Sequence, residues 1–191
     1  MPRNQDNSAV ERLIEDLGTD FPSIRQARAD SKAKLEKIRE IADDAGPGQS
    51  GLLRLPPPDT SIVLLGSMAR RECTVRSDID WTLLVDGQAD PKHKDTAREF
   101  KRRLIACNFA GPNPAGAFGG LSFSHELIHC IGGEQDTNAN MTRRILVLLE
   151  STSLAPGALV GEAPPVDAHY RVLRGILERY VVSERSFLAE S

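Results

Sequence analysis

Hydrophobic and polar positions follow two different patterns along the chain. In residues 22–44, and again from residue 167 onwards, apolar side chains recur three or four positions apart among many charges, which predicts amphipathic surface helices. Residues 61–65 and 79–85 are instead short and mostly apolar, and their length and β-branched content predict two buried strands. The chain is therefore expected to combine a small buried sheet with surface helices.

Local start and stop signals predict further elements. A short helix is expected over residues 8–17, and Asp90 followed by Pro91 is an N-cap and first-turn pair that opens a helix to about Cys107. Thr137 or Asn138 is expected to cap another helix, through Met141, Ile145, Leu146, Leu148 and Leu149. The predicted apolar stripe of the last helix consists of Tyr170, Leu173, Ile176, Leu177 and Tyr180. Residues 121–131 fit either a strand or a short helix.

A Gly- and Pro-rich segment separates the first helices from the strands. Residues 46–58 include three consecutive prolines, which cannot continue a helix, so we interpret this segment as a linker. We divide the chain into N-terminal helices with the linker (1–58), a core (59–135) and C-terminal helices (136–191).

Composition narrows the class of protein. The chain has 191 residues, 40% hydrophobic and 27% charged, which is ordinary for a soluble globular protein. There is no apolar run long enough for a membrane span or a signal peptide, and a net charge of −3 gives no indication of a nucleic-acid surface. The three cysteines are widely spaced and odd in number, so we expect a reduced, cytoplasmic location.

The chemically informative pattern lies between the two strands. Gly66-Ser67 follows the first strand, and after ten residues Asp78-Ile79-Asp80 opens the second. Residues i and i+2 of a strand point to the same side, so Asp78 and Asp80 present two carboxylates on one face. Carboxylates so close repel each other, and a divalent cation such as Mg²⁺ relieves that conflict.

The Gly-Ser turn predicts phosphate binding beside this carboxylate pair. Gly66 has no Cβ, so a phosphate chain can approach its backbone closely. Ser67 offers a hydroxyl and a backbone N–H at the start of a helix, a favourable position for an anion. Arg70, Arg71 and Arg76 are nearby cations that can contact phosphates.

This motif resembles the core of the DNA polymerase beta-type nucleotidyltransferase superfamily, over about residues 61 to 86. The resemblance implies an α/β (α+β) fold in which a small mixed sheet is flanked by helices. It also implies transfer of a nucleoside monophosphate from a nucleoside triphosphate such as ATP to a hydroxyl or similar acceptor. By resemblance, Gly66 and Ser67 bind the triphosphate, together with Arg70, while Asp78 and Asp80 bind Mg²⁺, or Mn²⁺ in its place.

The sequence departs from this family at two points. Many members have Gly directly after the arginine of the turn, where this chain has Arg71. Members also have a third carboxylate on a later strand, which acts as metal ligand and base for the acceptor. Glu126 is the candidate for that role. The acceptor itself is not identified by the sequence.

Two alternatives remain open. His125-Glu126-x-x-His129 has the spacing of a zinc hydrolase, because residues i and i+4 share a helix face. However, Gln135 stands where a third ligand is expected, and Gly132-Gly133 would stop the helix. The other alternative is a degenerate nucleotide-binding module. The apolar stripe of the last helix needs a surface to pack against, which can be the core, a helical partner or a second copy of the chain.

Overall fold

The computed structural model describes residues 9–43, 59–74, 76–112, 118–154 and 167–183. Their elements follow the order α1 (Ala9–Leu17), α2 (Pro22–Asp43), β1 (Thr60–Leu65), α3 (Gly66–Ala69), β2 (Trp81–Val85), α4 (Pro91–Ala106), β3 (Leu121–Phe123), α5 (Ser124–Ile128), α6 (Asn138–Leu149), β4 (Ser151–Ser153) and α7 (Ala168–Glu178). One π-helical turn, Arg179–Ser183, continues α7. The expected linker, residues 46–58, lies outside the described residues.

A four-stranded mixed sheet in the order β3-β2-β1-β4 forms the centre of the fold. β1 pairs antiparallel with both β2 and β4, whereas β2 and β3 run parallel. The register places Leu64 opposite Trp81 and Leu65 opposite Ser151. Helices flank this sheet, so the predicted α/β class with a small mixed sheet is confirmed.

Alternation along the strands gives the sheet two buried faces. Odd and even positions point to opposite sides, so each of β1 and β2 contributes to two cores. The first core joins Ile62, Leu64, Trp81 and Leu83 to α2 and α4, through Leu35, Ile38, Phe100 and Leu104. The second joins Val63, Leu65 and Leu84 to α5, α6 and α7, through Leu127, Val147, Val172 and Ile176. Both faces of the central strands are thus covered.

Arg144 connects the helices that cover the second face of the sheet through hydrogen bonds. Its side chain is buried, and Nε donates to the Leu127 carbonyl oxygen of α5 over 2.8 Å. Nη2 donates to Asp136 at 2.7 Å and Nη1 to the Tyr180 hydroxyl at 3.2 Å. The hydrogen bond from Arg144 holds the pKa of the Asp136 carboxyl below its usual value. A buried guanidinium with several acceptors therefore connects α5, α6 and the C-terminal turn.

The locally encoded helices are confirmed. α1, α2 and α4 lie within one residue of their predicted bounds, and the Asp90 side chain accepts from the Lys92 backbone N–H as expected of an N-cap. Thr137 caps α6 by accepting from the Asn140 N–H. Residues 121–131, for which the sequence fitted either a strand or a short helix, contain both, because β3 passes directly into α5.

One expectation about the C-terminal region needs correction, and two further features there were not predicted from the sequence. β4 was not predicted, because Ser151-Thr152-Ser153 has no apolar pattern. The predicted apolar stripe of α7 is wrong at Tyr170 and Leu177, because these side chains are 38% and 53% exposed. Val172 and Ile176 are the buried residues of this helix. On α6, Met141, Ile145 and Leu149 are exposed, so the buried side of that helix is the one that carries Val147. None of the described helices is both long enough and apolar enough to cross a membrane.

Candidate nucleotide and metal site

The Gly66-Ser67 turn is fixed by the end of β1. Gly66 has φ +61°, a left-handed conformation that glycine adopts without steric cost. Its N–H donates to the Glu150 carbonyl oxygen at 3.0 Å, and its own carbonyl oxygen accepts from the Arg70 N–H. A Cβ added at Gly66 would lie 3.4 Å from Asp80 Oδ2. The turn therefore brings backbone within contact distance of the second aspartate.

The two aspartates lie immediately before β2, which begins at Trp81 rather than at residue 79 as the sequence predicted. The Leu65 N–H donates to the Asp80 carbonyl oxygen at 3.0 Å, and the Ile79 N–H donates to that of Ala110 at 2.8 Å. Ile79 and Trp81 are fully buried, whereas Asp78 is exposed and Asp80 is half-buried. This alternation places both carboxylates on the side of the strand opposite Ile79 and Trp81.

The electrostatics of the pair suit a divalent cation. Burial raises the pKa of the Asp80 carboxyl, and the charge of Asp78 raises it further. Two anionic oxygen donors, one of them partly removed from water, form the ligand set that Mg²⁺ or Mn²⁺ prefers, with water and phosphate oxygens completing the shell. Asp78 and Asp80 therefore fit the metal that the resemblance implies.

Arg70 is already engaged by two carboxylates. Its Nε donates to Glu72 at 2.8 Å, and Nη1 donates to Glu150. The hydrogen bond to Glu72 is the largest influence that raises the pKa of the guanidinium, and Glu150 adds to it. Since the side chain is 40% exposed, Arg70 remains accessible at the edge of the turn. Contact with a phosphate would then compete with these ion pairs.

The structure does not bring Glu126 to the aspartate pair. β2 and β3 run parallel, and the sheet extends roughly 15 Å from the level of Asp80 to the end of β3. Glu126 follows in α5. In the described part of the chain there is no group of three or more His, Cys, Asp or Glu side chains arranged to hold a metal. The role of Glu126 as third carboxylate stays a prediction without support from this geometry.

His125 and His129 lie beside each other at the end of α5. Their ring centroids are 5.4 Å apart, and both residues are exposed. The helix ends at Ile128, with Gly132 at φ +70° shortly after, as the sequence predicted. The described residues offer these two imidazoles no third ligand.

Glu150 is a residue of this site that sequence reasoning missed. Its carbonyl oxygen accepts from Gly66, and its carboxylate binds Arg70. The only signal was a glutamate directly after an apolar helix and before Ser-Thr-Ser, a pattern that does not differ from an ordinary helix end. The pairing of β4 with β1 gives Glu150 its position, and such long-range pairing is not encoded locally.

Comparison with protein families gives the decisive match. The family model described as "Putative nucleotidyltransferase DUF294" matches residues 10–110, more than half of the chain. The chain belongs to the DUF294 family. The match begins in α1 and includes the Gly66-Ser67 turn, both aspartates and α4, so in this DUF294 protein the N-terminal helices lie within the family's own region. No curated protein matches the chain.

Proposed function

We propose that this DUF294 protein transfers a nucleoside monophosphate from a Mg²⁺-bound nucleoside triphosphate to an acceptor. The observation that carries the proposal is the position of Gly66, whose Cβ, if present, would lie 3.4 Å from the half-buried Asp80 carboxylate. This closeness supports the proposal, because phosphate-binding backbone and a metal-binding carboxylate would have to adjoin each other. Membership in a family of nucleotidyltransferases supports the same conclusion.

In this proposal the chain supplies positioning and charge. The Gly66-Ser67 turn holds the β- and γ-phosphates, because Gly66 allows close approach of the phosphate oxygens. Asp78 and Asp80 would hold the metal, which would supply charge neutralisation for the phosphates. Glu72 and Glu150 orient Arg70 beside the turn through its two ion pairs. Nucleotidyl transfer depends mainly on such positioning and neutralisation.

The reaction would be a displacement at the α-phosphorus. A hydroxyl, amine or phosphate oxygen of the acceptor forms a bond to that phosphorus, the bond to the β-phosphate oxygen breaks, and pyrophosphate leaves. Atoms and charge balance because the proton of the acceptor passes to solvent or to a nearby base. The acceptor class is left to experiment.

The test measures the transfer of ³²P label from the α-phosphate of the nucleoside triphosphate to an acceptor. Wild-type protein, Mg²⁺ and each of the four α-³²P-labelled nucleoside triphosphates are incubated with a cell extract as acceptor pool. The double variant Asp78→Asn/Asp80→Asn should lose transfer at least ~100-fold, since metal neutralisation contributes several kcal/mol to the transition state. Asp95→Asn is the matched control, because Asp95 carries the same charge on the exposed side of α4 and is 75% exposed.

Two results would contradict the proposal. Equal labelling by wild type and the double variant would remove Asp78 and Asp80 from the chemistry. Nucleotide binding by wild type, without label transfer or pyrophosphate release for any base, would favour the degenerate nucleotide-binding module. Transfer by wild type and Asp95→Asn alone would leave only the acceptor to identify.

A further inference from the structure

A serine and a histidine form a hydrogen-bonded pair beside the Gly66 turn. The Ser151 hydroxyl, at the start of β4, lies 2.7 Å from Nε2 of His169 in the first turn of α7. Both residues are half-buried. The proposed nucleotide and metal site uses neither of them, so this pair of a nucleophile and a base has no role so far.

The register of the sheet puts the pair close to the proposed nucleotide site. Ser151 is paired with Leu65, and on the other side of β1 the Leu65 N–H donates to the Asp80 carbonyl oxygen. Directly opposed residues project to the same face, so Ser151 and Asp80 share a face, with about 10 Å between their backbones across two strand spacings. Glu150, the residue before Ser151, accepts the Gly66 N–H. Ser151 therefore lies next to the turn that holds the triphosphate in the proposed reaction.

Two acceptors compete for the proton of the Ser151 hydroxyl. The Val147 carbonyl oxygen is 2.5 Å from Oγ, and His169 Nε2 is the other acceptor. A peptide carbonyl cannot remove this proton, whereas a neutral imidazole can act as a base. Burial lowers the pKa of His169, and the charge of Asp167 opposes that change only in part. The imidazole is therefore neutral near pH 7 and able to take the proton.

Hydrogen bonds at the start of α7 hold His169 in this position. Asp167 caps the helix by accepting the Tyr170 N–H at 2.8 Å. Its other carboxylate oxygen accepts from the hydroxyls of Ser61 and Ser153, at 3.0 and 2.6 Å. The Ser61 oxygen in turn accepts the His169 backbone N–H at 3.3 Å. These contacts fasten the helix start to β1 and β4, and they place a carboxylate where its charge stabilises the imidazolium.

We propose that Ser151 is itself an acceptor, so that the protein modifies its own chain with a nucleoside monophosphate. This inference rests on the proposed function. The Ser151 oxygen forms a bond to the α-phosphorus, the bond from that phosphorus to the bridging oxygen of the β-phosphate breaks, and pyrophosphate leaves. The hydroxyl proton passes to His169 Nε2. Since the described residues place no third His, Cys, Asp or Glu with Asp78 and Asp80, His169 fills the role of the base.

Mass spectrometry of the purified full chain tests self-modification directly. The protein is incubated with Mg²⁺ and each of the four nucleoside triphosphates, without any added acceptor. Wild type should gain the mass of one nucleoside monophosphate per chain, and fragmentation should place it on Ser151. Ser151→Ala should gain none, whereas Ser151→Thr should be modified at the same position because it keeps a hydroxyl group. His169→Gln should slow the modification at least ~100-fold, because the base is removed.

Thr152→Val is the matched control for these variants. Thr152 follows Ser151 in β4 and is paired with Leu64, so its side chain points to the opposite face of the sheet. The change removes a hydroxyl group and keeps the branched shape of the side chain. This variant should be modified on Ser151 at the wild-type rate, and a loss equal to that of Ser151→Ala would overturn the assignment to Ser151.

A mixture of two variants tests whether the reaction occurs within one chain. Asp78→Asn/Asp80→Asn keeps the acceptor hydroxyl but should not transfer, whereas Ser151→Ala keeps the aspartates but has no acceptor. The mixture should stay unmodified, because Ser151 lies beside the turn of its own chain. Modification of the aspartate variant in this mixture would show transfer between copies and would overturn the reaction within one chain.

The possible failures separate this inference from the transferase proposal. Pyrophosphate release by wild type, or label transfer to the cell extract, with Ser151 unmodified would overturn self-modification and leave the transferase in place. No pyrophosphate release and no label transfer for any nucleotide would overturn both. Equal modification of wild type and His169→Gln would remove His169 from the reaction and leave its hydrogen bond to Ser151 with a structural role alone.

Discussion

Asp80 is half-buried next to a second aspartate, and both conditions oppose its ionisation. Its pKa is raised chiefly by burial and then by Asp78. The unfolded chain therefore loses this proton at a lower pH than the folded chain does. Protonated Asp80 therefore contributes to the stability of the fold. That contribution is fully present below pH 3.8, the ordinary pKa of the side chain, and it is lost as pH rises through the higher pKa of the folded state. At neutral pH the folded protein thus holds an unfavourable charge.

This gives a prediction for Asp80→Asn in metal-free buffer. At pH 7 the variant should unfold at a higher temperature than wild type, and the difference should vanish as pH falls below about 4. Saturating Mg²⁺ should reverse the order, because only wild type binds the metal with both carboxylates. Thermal unfolding at several pH values, with Mg²⁺ and with a chelator, measures both effects. A variant less stable than wild type at pH 7 without metal would show that the charge is already compensated within the fold.

Among the elements, the turn from β1 into α3 combines a left-handed backbone conformation at Gly66 with closeness to the site. Gly66→Ala places a side chain at φ +61°, which should destabilise the fold by about 1–2 kcal/mol. The new Cβ would also lie in contact with Asp80 Oδ2 at 3.4 Å. We expect loss of label transfer in addition to the loss of stability, because the added methyl group occupies the approach to the phosphates.

Gly132→Ala is the matched control for this variant. Gly132 has φ +70°, and nothing lies within 4 Å of a Cβ built there. Urea unfolding should give both variants a similar destabilisation, while only Gly66→Ala loses transfer. Equal transfer by the two variants would mean that Gly66 serves the backbone conformation alone.

The elements also show which parts of the fold the sequence encodes locally. Caps such as Asp90 and Thr137 act within one turn of helix, so α4 and α6 could be predicted with their starts. The Gly-Ser turn and the Asp-x-Asp spacing likewise lie within a few residues of one another. β4 has only three polar residues, and pairing with β1 stabilises it through contacts distant in sequence. Glu150 was missed for that same reason, since its neighbours Gly66 and Arg70 belong to other elements.

At the scale of the whole molecule, the sheet is stable only if both of its faces are covered. The sequence suggested that α2 was a charged surface helix preceding the core. In the structure Leu35, Ile38 and Ala42 of α2 pack in the first core with Trp81 and Phe100. The predicted boundary at residue 58 stays a prediction, while the family match over residues 10–110 spans α2 together with β1 and β2.

Truncation of one α2 side chain tests this coverage. Ile38 is fully buried, so Ile38→Ala should lower the free energy of unfolding by about 2–5 kcal/mol through lost burial and a cavity. Ile24→Ala is the control on the same helix, because Ile24 is 42% exposed and its loss should change stability by no more than about 0.5 kcal/mol. Urea unfolding of the full chain, followed by circular dichroism and by Trp81 fluorescence, should show one shifted transition with both probes. If Ile38→Ala shifts only the helical signal while Trp81 unfolds as in wild type, α2 is a separate extension that docks on the core rather than part of it.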